Sequence, residues 1–398
     1  MTRLVAITGV GAVTAAGPDA AHLAEALRRE RSTVQPSADF DGLPVGSAPD
    51  PPRATDARRL DRSAAFFLTA AEEAWRSAGL ADPPAPDRCA VFEGSSLGPM
   101  AELLCVHRER LASSRSPAPR PSDLVRFMPG AGGVALALRH GIEGPVSHHS
   151  AGSVSAAWAI IQAVREIESG AIDVAVAGGG EAPLQEDLIA SFGAAGILSP
   201  ARNGDPPCRP FDRRRSGTVL GEGAGALVLE SLESARSRGV RPLATMAGIG
   251  TAGEAHSVVR PRASGRGVRR AAEAALRGID PGEIGWIKAH GTGTVEGDAA
   301  ECRGLAALFE RRLPRIPLTS LKPLFGHCLG ASAAVEAAAA VLALASGLVP
   351  ATLGSSEPDP ELPPFALATR TSRSDAPVAL LLSEGFGGRC AALVLRRA

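Results

Sequence analysis

Short runs of apolar residues recur along the chain, and glycine follows most of them. A strand that is buried on both faces reads as a continuous apolar run, whereas a half-exposed strand alternates apolar and polar residues. The runs therefore predict strands inside the protein rather than strands at a solvated surface. They lie at Leu4–Thr8, Cys89–Phe92, Ala171–Gly180, Gly225–Glu230 and Thr245–Thr251.

Between these runs, apolar residues return with the spacing of a helix. Leu23–Arg29, Arg62–Ala78 and Val154–Ile167 have this pattern. The most apolar stretch, Ala331–Leu348, is rich in alanine and carries Glu336, which predicts a buried helix rather than a membrane span. Alternating strands and helices predict an α/β protein with mainly parallel sheets covered by helices.

The pattern of elements occurs twice along the chain. Val5–Ala12 and Thr245–Thr251 are both apolar runs with alternating glycines, and each precedes a predicted helix, a strand and another glycine turn. This repeat predicts two similar halves, residues 1–238 and residues 239–398. The break between them is expected near Ser237–Arg241.

The first glycine pair also suggests a dinucleotide-binding fingerprint. Gly9 and Gly11 follow an apolar run, as such a site requires. However, Thr14 stands where the third glycine is needed, and no acidic residue follows a second strand at the expected distance. A nucleotide site is therefore a remote alternative.

Charge and cysteine content narrow the possible functions. Among 398 residues, 42 are Lys or Arg and 42 are Asp or Glu, so no net charge draws the chain to nucleic acid or to a membrane surface. The six cysteines are too sparse for a disulfide scaffold and lack metal-ligand spacing. The first residues show no signal-peptide pattern. We therefore expect a reduced, cytoplasmic protein without a structural metal.

The stretch from Gly144 to Trp158 carries the first candidate for chemistry. A short polar approach passes through Ala151 and Gly152 into a helical pattern, which predicts Ser153 at a strand-to-helix junction. The first turn of a helix has unpaired N–H groups and the positive end of the helix dipole, which suit a nucleophile or an anion. Serine is also a favoured N-cap residue, and on this stretch alone the cap is the stronger interpretation.

Motifs further along the chain change that balance. They lie at Arg209–Asp212, Gly221–Gly225, Lys288–Thr294, Ser320–Ala331 and Gly385–Gly388. In this order they resemble the β-ketoacyl-acyl-carrier-protein synthase (ketosynthase) family, and the resemblance runs from Val5 to Leu395. The resemblance implies the duplicated, five-layered α-β-α-β-α architecture of the thiolase-like fold.

The resemblance also implies a set of site residues. Ketosynthases use one cysteine and two histidines for decarboxylative condensation of carrier-bound thioesters, and Ser153 occupies the cysteine position here. His290 and His327 match the two histidines. Lys322 matches a lysine that shapes their electrostatics, and Glu301 matches an acidic residue that holds Lys322 in place. The residues implied to gate the site or contact the substrate are Phe386, Gly385, Gly387, Thr292, Thr294 and Phe192.

Serine at position 153 weakens one part of that chemistry. A cysteine at a helix N-terminus is partly thiolate near neutral pH, whereas serine stays protonated unless a base lies beside it. His149 is one candidate base, although a position at a dimer seam is the stronger interpretation. Decarboxylation needs no nucleophile, because fixed donors in the histidine pocket stabilise the charge that develops on the thioester oxygen.

The C-terminal motif departs from the resembled pattern on both sides. The family's phenylalanine immediately before this glycine motif is replaced by Glu384, and the Thr-Asn that follows is replaced by Arg389 and Cys390. We expect Glu384, near the entrance, to alter the packing or gating of the loop.

Two functions follow from the resemblance. The first is a partner subunit similar to the ketosynthase-β or chain-length-factor chains of type II polyketide synthases, which lose the cysteine and pair with a cysteine-bearing ketosynthase. The second is an enzyme: a malonyl-carrier decarboxylase, an acyltransferase or a condensing enzyme that uses Ser153 with His290 and His327. Both imply an acyl carrier protein that presents substrates on phosphopantetheine, no further cofactor, and either a heterodimer with a ketosynthase or a homodimer.

Overall fold

The computed structural model describes residues 3–52, 60–112, 120–200 and 206–398. Its strands are β1 Val5–Val13, β2 Gln35–Pro36, β3 Pro44–Val45, β4 Cys89–Gly94, β5 Val146–His149, β6 Val174–Glu181, β7 Gly223–Ser231, β8 Ala244–Gly253, β9 Ile284–Lys288, β10 Pro317–Thr319, β11 Leu348–Val349, β12 Ala366–Leu367, β13 Ser372–Arg373, β14 Val378–Gly385 and β15 Arg389–Arg397. Its α-helices are α1 Ala20–Arg29, α2 Arg62–Ser77, α3 Met100–Ala112, α4 Pro121–Arg126, α5 Ala131–His140, α6 Ser155–Ser169, α7 Glu186–Ala194, α8 Leu232–Ser237, α9 Arg266–Ala275, α10 Val295–Phe309, α11 Lys322–Phe325 and α12 Ser332–Ala345.

The strand order repeats in the two halves of the chain. The first half runs β1-β7-β6-β4-β5 across the sheet and the second runs β8-β15-β14-β9-β10, with β12 added at the outer edge. In each half the first two pairings are antiparallel and the next two are parallel. Within the sheet, the strands of the two halves pair through a short antiparallel contact between Val5–Ile7 and Ala244–Met246. The predicted duplication of the fold is therefore confirmed.

The strands of each half of the chain form one half of the sheet, which we treat as a sheet of its own. Helices cover both faces of both sheets, which gives five layers. Val174 and Val176 in β6 face an outer cluster with α2, whereas Ala175 and Ala177 face a central cluster. That central cluster contains α6, α12 and the inward residues of both sheets. A third cluster packs α9 and α10 on the outer face of the second sheet. The α-β-α-β-α architecture expected from the sequence is confirmed, and the exact division at residue 238 stays a prediction.

Paired glycines allow one helix to lie close against each sheet. A Cβ atom at Gly9 would lie 2.1 Å from the carbonyl oxygen of Ala74 in α2, and Gly11 is covered by the same helix. Gly248 and Gly250 in β8 are covered in the same way by α9. Because Gly9 and Gly11 lie inside β1 and not in a phosphate-binding turn, the basis for a nucleotide site is removed.

The buried helix predicted in the most apolar stretch is α12. All of its residues except Leu342 and Ala345 are buried, and Glu336 is among the buried ones. No helix in the described part of the chain is long and apolar enough to cross a bilayer. All six cysteines lie in described segments and are free thiols there.

Candidate functional site

A cavity of about 540 Å³ lies where the two halves meet. The carboxyl ends of β9 and β14 and the N-terminal ends of α6 and α12 border it. Most of the residues proposed from the sequence line this cavity, namely Ser153, Phe192, His290, Thr292, Thr294, Glu301, His327, Gly385 and Phe386. The topology therefore gathers side chains that are far apart in the chain at one end of both sheets.

Ser153 immediately precedes the first turn of α6. Gly152 has a left-handed backbone with φ of 65°, which turns the chain into the helix. Val154 holds the N-cap position without a side-chain hydrogen bond, and the hydroxyl of Ser155 accepts the N–H of Ala151 and donates to Gly152 O. The interpretation of Ser153 as the N-cap is therefore wrong, and its side chain is free for the cavity.

The hydroxyl of Ser153 faces His327. Ser153 Oγ lies 3.2 Å from His327 Nε2, and His327 Nδ1 lies 2.8 Å from Ser332 Oγ. His149, the base considered from the sequence, instead lies 3.2 Å from Ser147 Oγ through its Nε2 atom. His327 is thus the base that the fold places beside Ser153. The group behind the imidazole is a hydroxyl and not the carboxylate that stabilises an imidazolium in a Ser-His-Asp triad.

His290 completes a pair of imidazoles at the cavity. Its ring centroid lies 5.4 Å from that of His327, and the ring planes are nearly perpendicular at 81°. Glu301 accepts the backbone N–H groups of His290 at 2.6 Å and of Gly291 at 2.8 Å. His290 Nδ1 is buried and has no hydrogen-bond partner among the described residues. Glu301 therefore fixes the backbone that carries the His290 ring.

Lys322 is held by a different carboxylate from the one expected. Lys322 Nζ donates to Glu336 Oε1 at 2.7 Å and to the carbonyl oxygen of His290 at 2.6 Å. The expectation that Glu301 holds Lys322 in place is corrected, because both Glu301 oxygens are directed at backbone N–H groups. The packing of α12 brings Glu336 to the lysine instead.

A second buried lysine shares the same carboxylate. Lys288 Nζ donates to Glu336 and to the carbonyl oxygen of Leu382 in β14. Lys288, Lys322 and Glu336 are almost fully buried, with side-chain exposures of 1%, 0% and 1%. Sequence reasoning missed this role of Lys288 and Glu336. The available signal was a lysine at the end of the short apolar run Ile284–Lys288 and a glutamate inside an apolar predicted helix.

Both histidines are neutral near pH 7. Burial lowers the pKa of His290 and of His327 well below the usual range, and the positive charges of Lys322 and Lys288 lower each pKa further. A neutral imidazole can donate an N–H to a developing oxyanion without first losing a proton. The lysines therefore keep the histidine pair in the form that suits oxyanion stabilisation.

The loop after β14 closes one side of the cavity. Phe386 is 45% exposed and stacks on Phe192, with ring centroids 6.5 Å apart at 25°. A Cβ atom at Gly385 would lie 3.2 Å from Ser153 N, which is tighter than most Cβ contacts, so the loop backbone approaches the start of α6 closely. Gly387 donates its backbone N–H to Val258 O at 2.7 Å, which ties the loop to a neighbouring segment.

Thr292 and Thr294 also lie in the wall of the cavity. Their hydroxyl oxygens are 2.8 Å apart, and both residues line the cavity. They sit in the turn between β9 and α10, close to His290 in the chain. Two hydroxyls at this place can bond the amide groups of a long, flexible substrate arm. In the described segments, no cluster of three or more His, Cys, Asp or Glu side chains is arranged to hold a metal ion.

Two family models match the chain in succession. The model described as beta-ketoacyl synthase, N-terminal domain, matches residues 2–235, and beta-ketoacyl synthase, C-terminal domain, matches residues 243–356. The 3-oxoacyl-[acyl-carrier-protein] synthase 2 of Staphylococcus aureus is 33% identical over 348 residues, which cover 86% of this chain and 83% of that protein. The putative polyketide beta-ketoacyl synthase 1 of Streptomyces cyaneus is 34% identical over 424 residues, with 99% and 98% covered.

Solved structures resemble the whole chain. The ishigamide ketosynthase/chain length factor matches with a TM-score of 0.91 and 29% identity over 100% of both chains. Another match has a TM-score of 0.92 and 27% identity, again over 100% of both chains. It is a chain in the structure of a type II polyketide synthase acyl-carrier protein in complex with its ketosynthase bound to the hexaketide. A beta-ketoacyl synthase from Burkholderia phymatum matches with a TM-score of 0.88 and 31% identity.

Proposed function

Because the chain belongs to the β-ketoacyl synthase family, we propose that it is a chain-length-factor-like partner of a cysteine-bearing ketosynthase. In this role it handles acyl-carrier-protein thioesters of a type II polyketide or fatty-acid system. One of the solved structures that it resembles is named as a ketosynthase/chain length factor. The proposal includes a heterodimer, substrates presented on the carrier's phosphopantetheine, no further cofactor, and a cytoplasmic location.

The observation that carries this proposal is the environment of Ser153. Its hydroxyl has His327 as a neighbour at 3.2 Å, but His327 is backed by the Ser332 hydroxyl and lies close to buried lysines. Taking the proton of Ser153 would create an imidazolium that burial and the lysines both disfavour. Serine is therefore poorly activated here, and an acyl-serine would be an ordinary ester, which is a weaker acyl donor than a thioester.

A second function is favoured by the intact histidine pair. When a malonyl thioester loses carbon dioxide, the bond between the carboxylate carbon and the α-carbon breaks, and its electron pair forms an enolate. Neutral His290 and His327 supply N–H donors for the enolate oxygen, and a proton from solvent then gives the acetyl thioester. This step needs no acyl-serine. The chain is thus also a candidate malonyl-carrier decarboxylase.

The test is to incubate the full chain, alone and with co-expressed ketosynthase, with acyl and malonyl thioesters of an acyl carrier protein. Intact-protein mass and released carbon dioxide are recorded for the wild type, Ser153→Ala and His327→Asn. The partner role predicts no adduct on this chain, no carbon dioxide release from the chain alone, and condensation only when the ketosynthase is present.

Two outcomes would replace this proposal. Release of carbon dioxide by the chain alone, retained in Ser153→Ala and lost in His327→Asn, would establish the decarboxylase. An acyl adduct that disappears in Ser153→Ala would establish an acyltransferase or condensing enzyme with a serine nucleophile. Circular dichroism of each variant controls for loss of the fold.

A further inference from the structure

Five carboxyl groups line the cavity, and four of them have partners. Glu301 binds two backbone N–H groups, as described above. Asp298 accepts the backbone N–H groups of Phe211 and Gly293. Glu254 accepts the backbone N–H groups of Arg262 and Gly267. The carboxylate of Glu296 lies 3.6 Å from the guanidinium of Arg260. These four carboxyl groups therefore serve to hold the walls of the cavity.

Glu384 is the fifth carboxyl group and differs from the others. It is half-buried and lines the cavity, yet it forms neither a hydrogen bond nor an ion pair with the residues that the structure describes. Burial raises the pKa of Glu384 well above its usual range, and the charges of Glu301, Glu254 and Asp298 raise the pKa further. Lys322 opposes this effect without reversing it. The protonated carboxyl is therefore the favoured form, and it has one O–H to donate and oxygens to accept.

The place of Glu384 brings it close to the path of an acyl chain. It lies at the end of β14, and the next residue, Gly385, packs against the backbone N–H of Ser153. Across the sheet it is opposite Cys390 of β15, which also lines the cavity. A chain whose carbonyl end is held beside Ser153 and His327 therefore shares its cavity with a carboxyl group that has no partner among the described residues.

We propose that Glu384 selects acyl chains that carry oxygen close to the thioester, in the form of a keto or hydroxyl group, over saturated hydrocarbon chains. This inference rests on the proposed function, because it assumes that carrier-bound acyl chains enter the cavity. An oxygen on the chain can accept or donate a hydrogen bond at Glu384. A methylene group at the same place displaces water from the carboxyl and leaves it without any partner, which is costly for a buried polar group.

The expected size of the preference follows from that cost. An unsatisfied buried polar group lowers affinity by roughly 10- to 100-fold relative to one that is paired. The effect is on binding and does not require acylation of Ser153. It can therefore be measured whether the chain is an enzyme or a partner subunit.

The test measures dissociation constants for unreactive amide analogues of acyl-pantetheine with a six-carbon chain: hexanoyl, 3-oxohexanoyl and 3-hydroxyhexanoyl. The full chain is used, together with its ketosynthase if the two copurify. The wild type is expected to bind the two oxygenated analogues roughly 10- to 100-fold more tightly than hexanoyl. Glu384→Leu should abolish or reverse the preference, whereas Glu384→Gln should retain most of it because an amide still donates and accepts.

A matched control is Glu361→Leu, which makes the same change at an exposed position outside the cavity. It should bind all three analogues like the wild type. Equal binding of the three analogues by the wild type, or an unchanged preference in a folded Glu384→Leu variant, would overturn the role of Glu384 alone. Failure of every analogue to bind to the wild type would instead contradict the proposed function, and the role of Glu384 with it.

Discussion

The two halves of the protein bring very different groups to the same cavity. The first half contributes Ser153, a neutral hydroxyl at the start of α6. The second half contributes two histidines on a buried network in which Lys288 and Lys322 share Glu336. One atom changes between serine and cysteine, whereas the network depends on several elements at once. The difference indicates that covalent transfer and oxyanion stabilisation are separable functions of this fold.

Each half also buries a glutamate close to the cavity. The glutamate of the first half has uncharged hydrogen-bond partners, whereas that of the second half has charged ones. Glu181 at the end of β6 accepts from the Ser95 hydroxyl at 2.8 Å and from the Ser96 N–H at 2.7 Å, and burial raises its pKa to about 7. Glu336 is bound by two lysines. The first half therefore relies on neutral hydrogen bonds where the second relies on charge.

The largest expected effect is a gain of function in the first half. Ser153→Cys places a thiol at the N-terminus of α6, where a thiolate is stabilised, beside an intact histidine pair. We expect acylation by an acyl thioester to become roughly a thousandfold faster, since a thiolate is far more nucleophilic than a protonated hydroxyl. Time-resolved intact-protein mass gives the rate, and Ser153→Ala is the control. A folded cysteine variant that reacts no faster would show that covalent transfer and oxyanion stabilisation are not separable in this protein.

Removing charge from the second half should cost stability. Glu336→Gln leaves two buried lysines without their carboxylate, and we expect the free energy of unfolding to fall by about 3–5 kcal/mol. In Glu181→Gln the side-chain NH₂ group replaces an oxygen that accepts hydrogen bonds, but no buried cation loses its partner, so the cost should be about 2 kcal/mol at pH 7. Urea denaturation of both variants measures the contrast. Equal losses would mean that the difference between the halves has no energetic consequence.

The histidine pair should make stability depend on pH. The pKa values of His290 and His327 are lowered in the folded protein, so the unfolded chain binds more protons below its histidine pKa of about 6.5. The stability that they contribute is complete above that pH. It is lost as pH falls, at up to about 1.4 kcal/mol per pH unit for each histidine. Glu181, whose pKa burial raises to about 7, and Glu384, whose pKa burial raises well above its usual range, oppose this slope in the same pH window. The contribution of one histidine is therefore measured as a difference: in urea denaturation from pH 7.5 to 5.5, the wild type should lose up to about 1.4 kcal/mol more per pH unit than His290→Asn. An unchanged slope in that variant would assign the dependence to other groups.

The smallest effect concerns the loop that both halves share. Phe386→Ala removes the stacking on Phe192 but leaves an exposed position, so stability should change by no more than about 0.5 kcal/mol. The affinity for acyl-pantetheine analogues should change by roughly 2- to 13-fold, because ring pairs contribute about 0.5–1.5 kcal/mol. A double-mutant cycle with Phe192→Ala tests the pairing. Fully additive effects would show that the two rings act independently.

The elements of the fold were predictable from local pattern. The apolar runs at Leu4–Thr8 and Thr245–Thr251 correspond to β1 and β8, and the alanine-rich stretch is α12. His290 and His327 meet at one cavity, where the resemblance to ketosynthases places them. Hydrophobic periodicity indicates which residues are buried, and the ordered motifs indicate the family whose strand ends meet at one site. The positions of the strands and helices and the meeting of the two histidines could therefore be predicted without three-dimensional information.

The partners of buried charges were not predictable in the same way. Glu336 and Lys288 are 48 residues apart, and only the packing of α12 between the sheets brings them together. Because of the same packing, Lys322 donates to Glu336, and Glu301 accepts backbone N–H groups instead. Spacing along a chain does not encode such distances. A residue role carried over from a resemblance is therefore least secure where several carboxylates compete for one cation.

The central position of α12 has a consequence for synthesis of the protein on the ribosome. The inward face of the first sheet, with Leu227 and Leu229, is completed by α12, which lies about 100 residues beyond the last strand of that sheet. At about 5–20 residues per second, the nascent chain carries this apolar face without its final cover for roughly 5 to 20 s. The first half is thus expected to depend on chaperones during translation, and a gene split between the halves should yield fragments that aggregate unless they are made together.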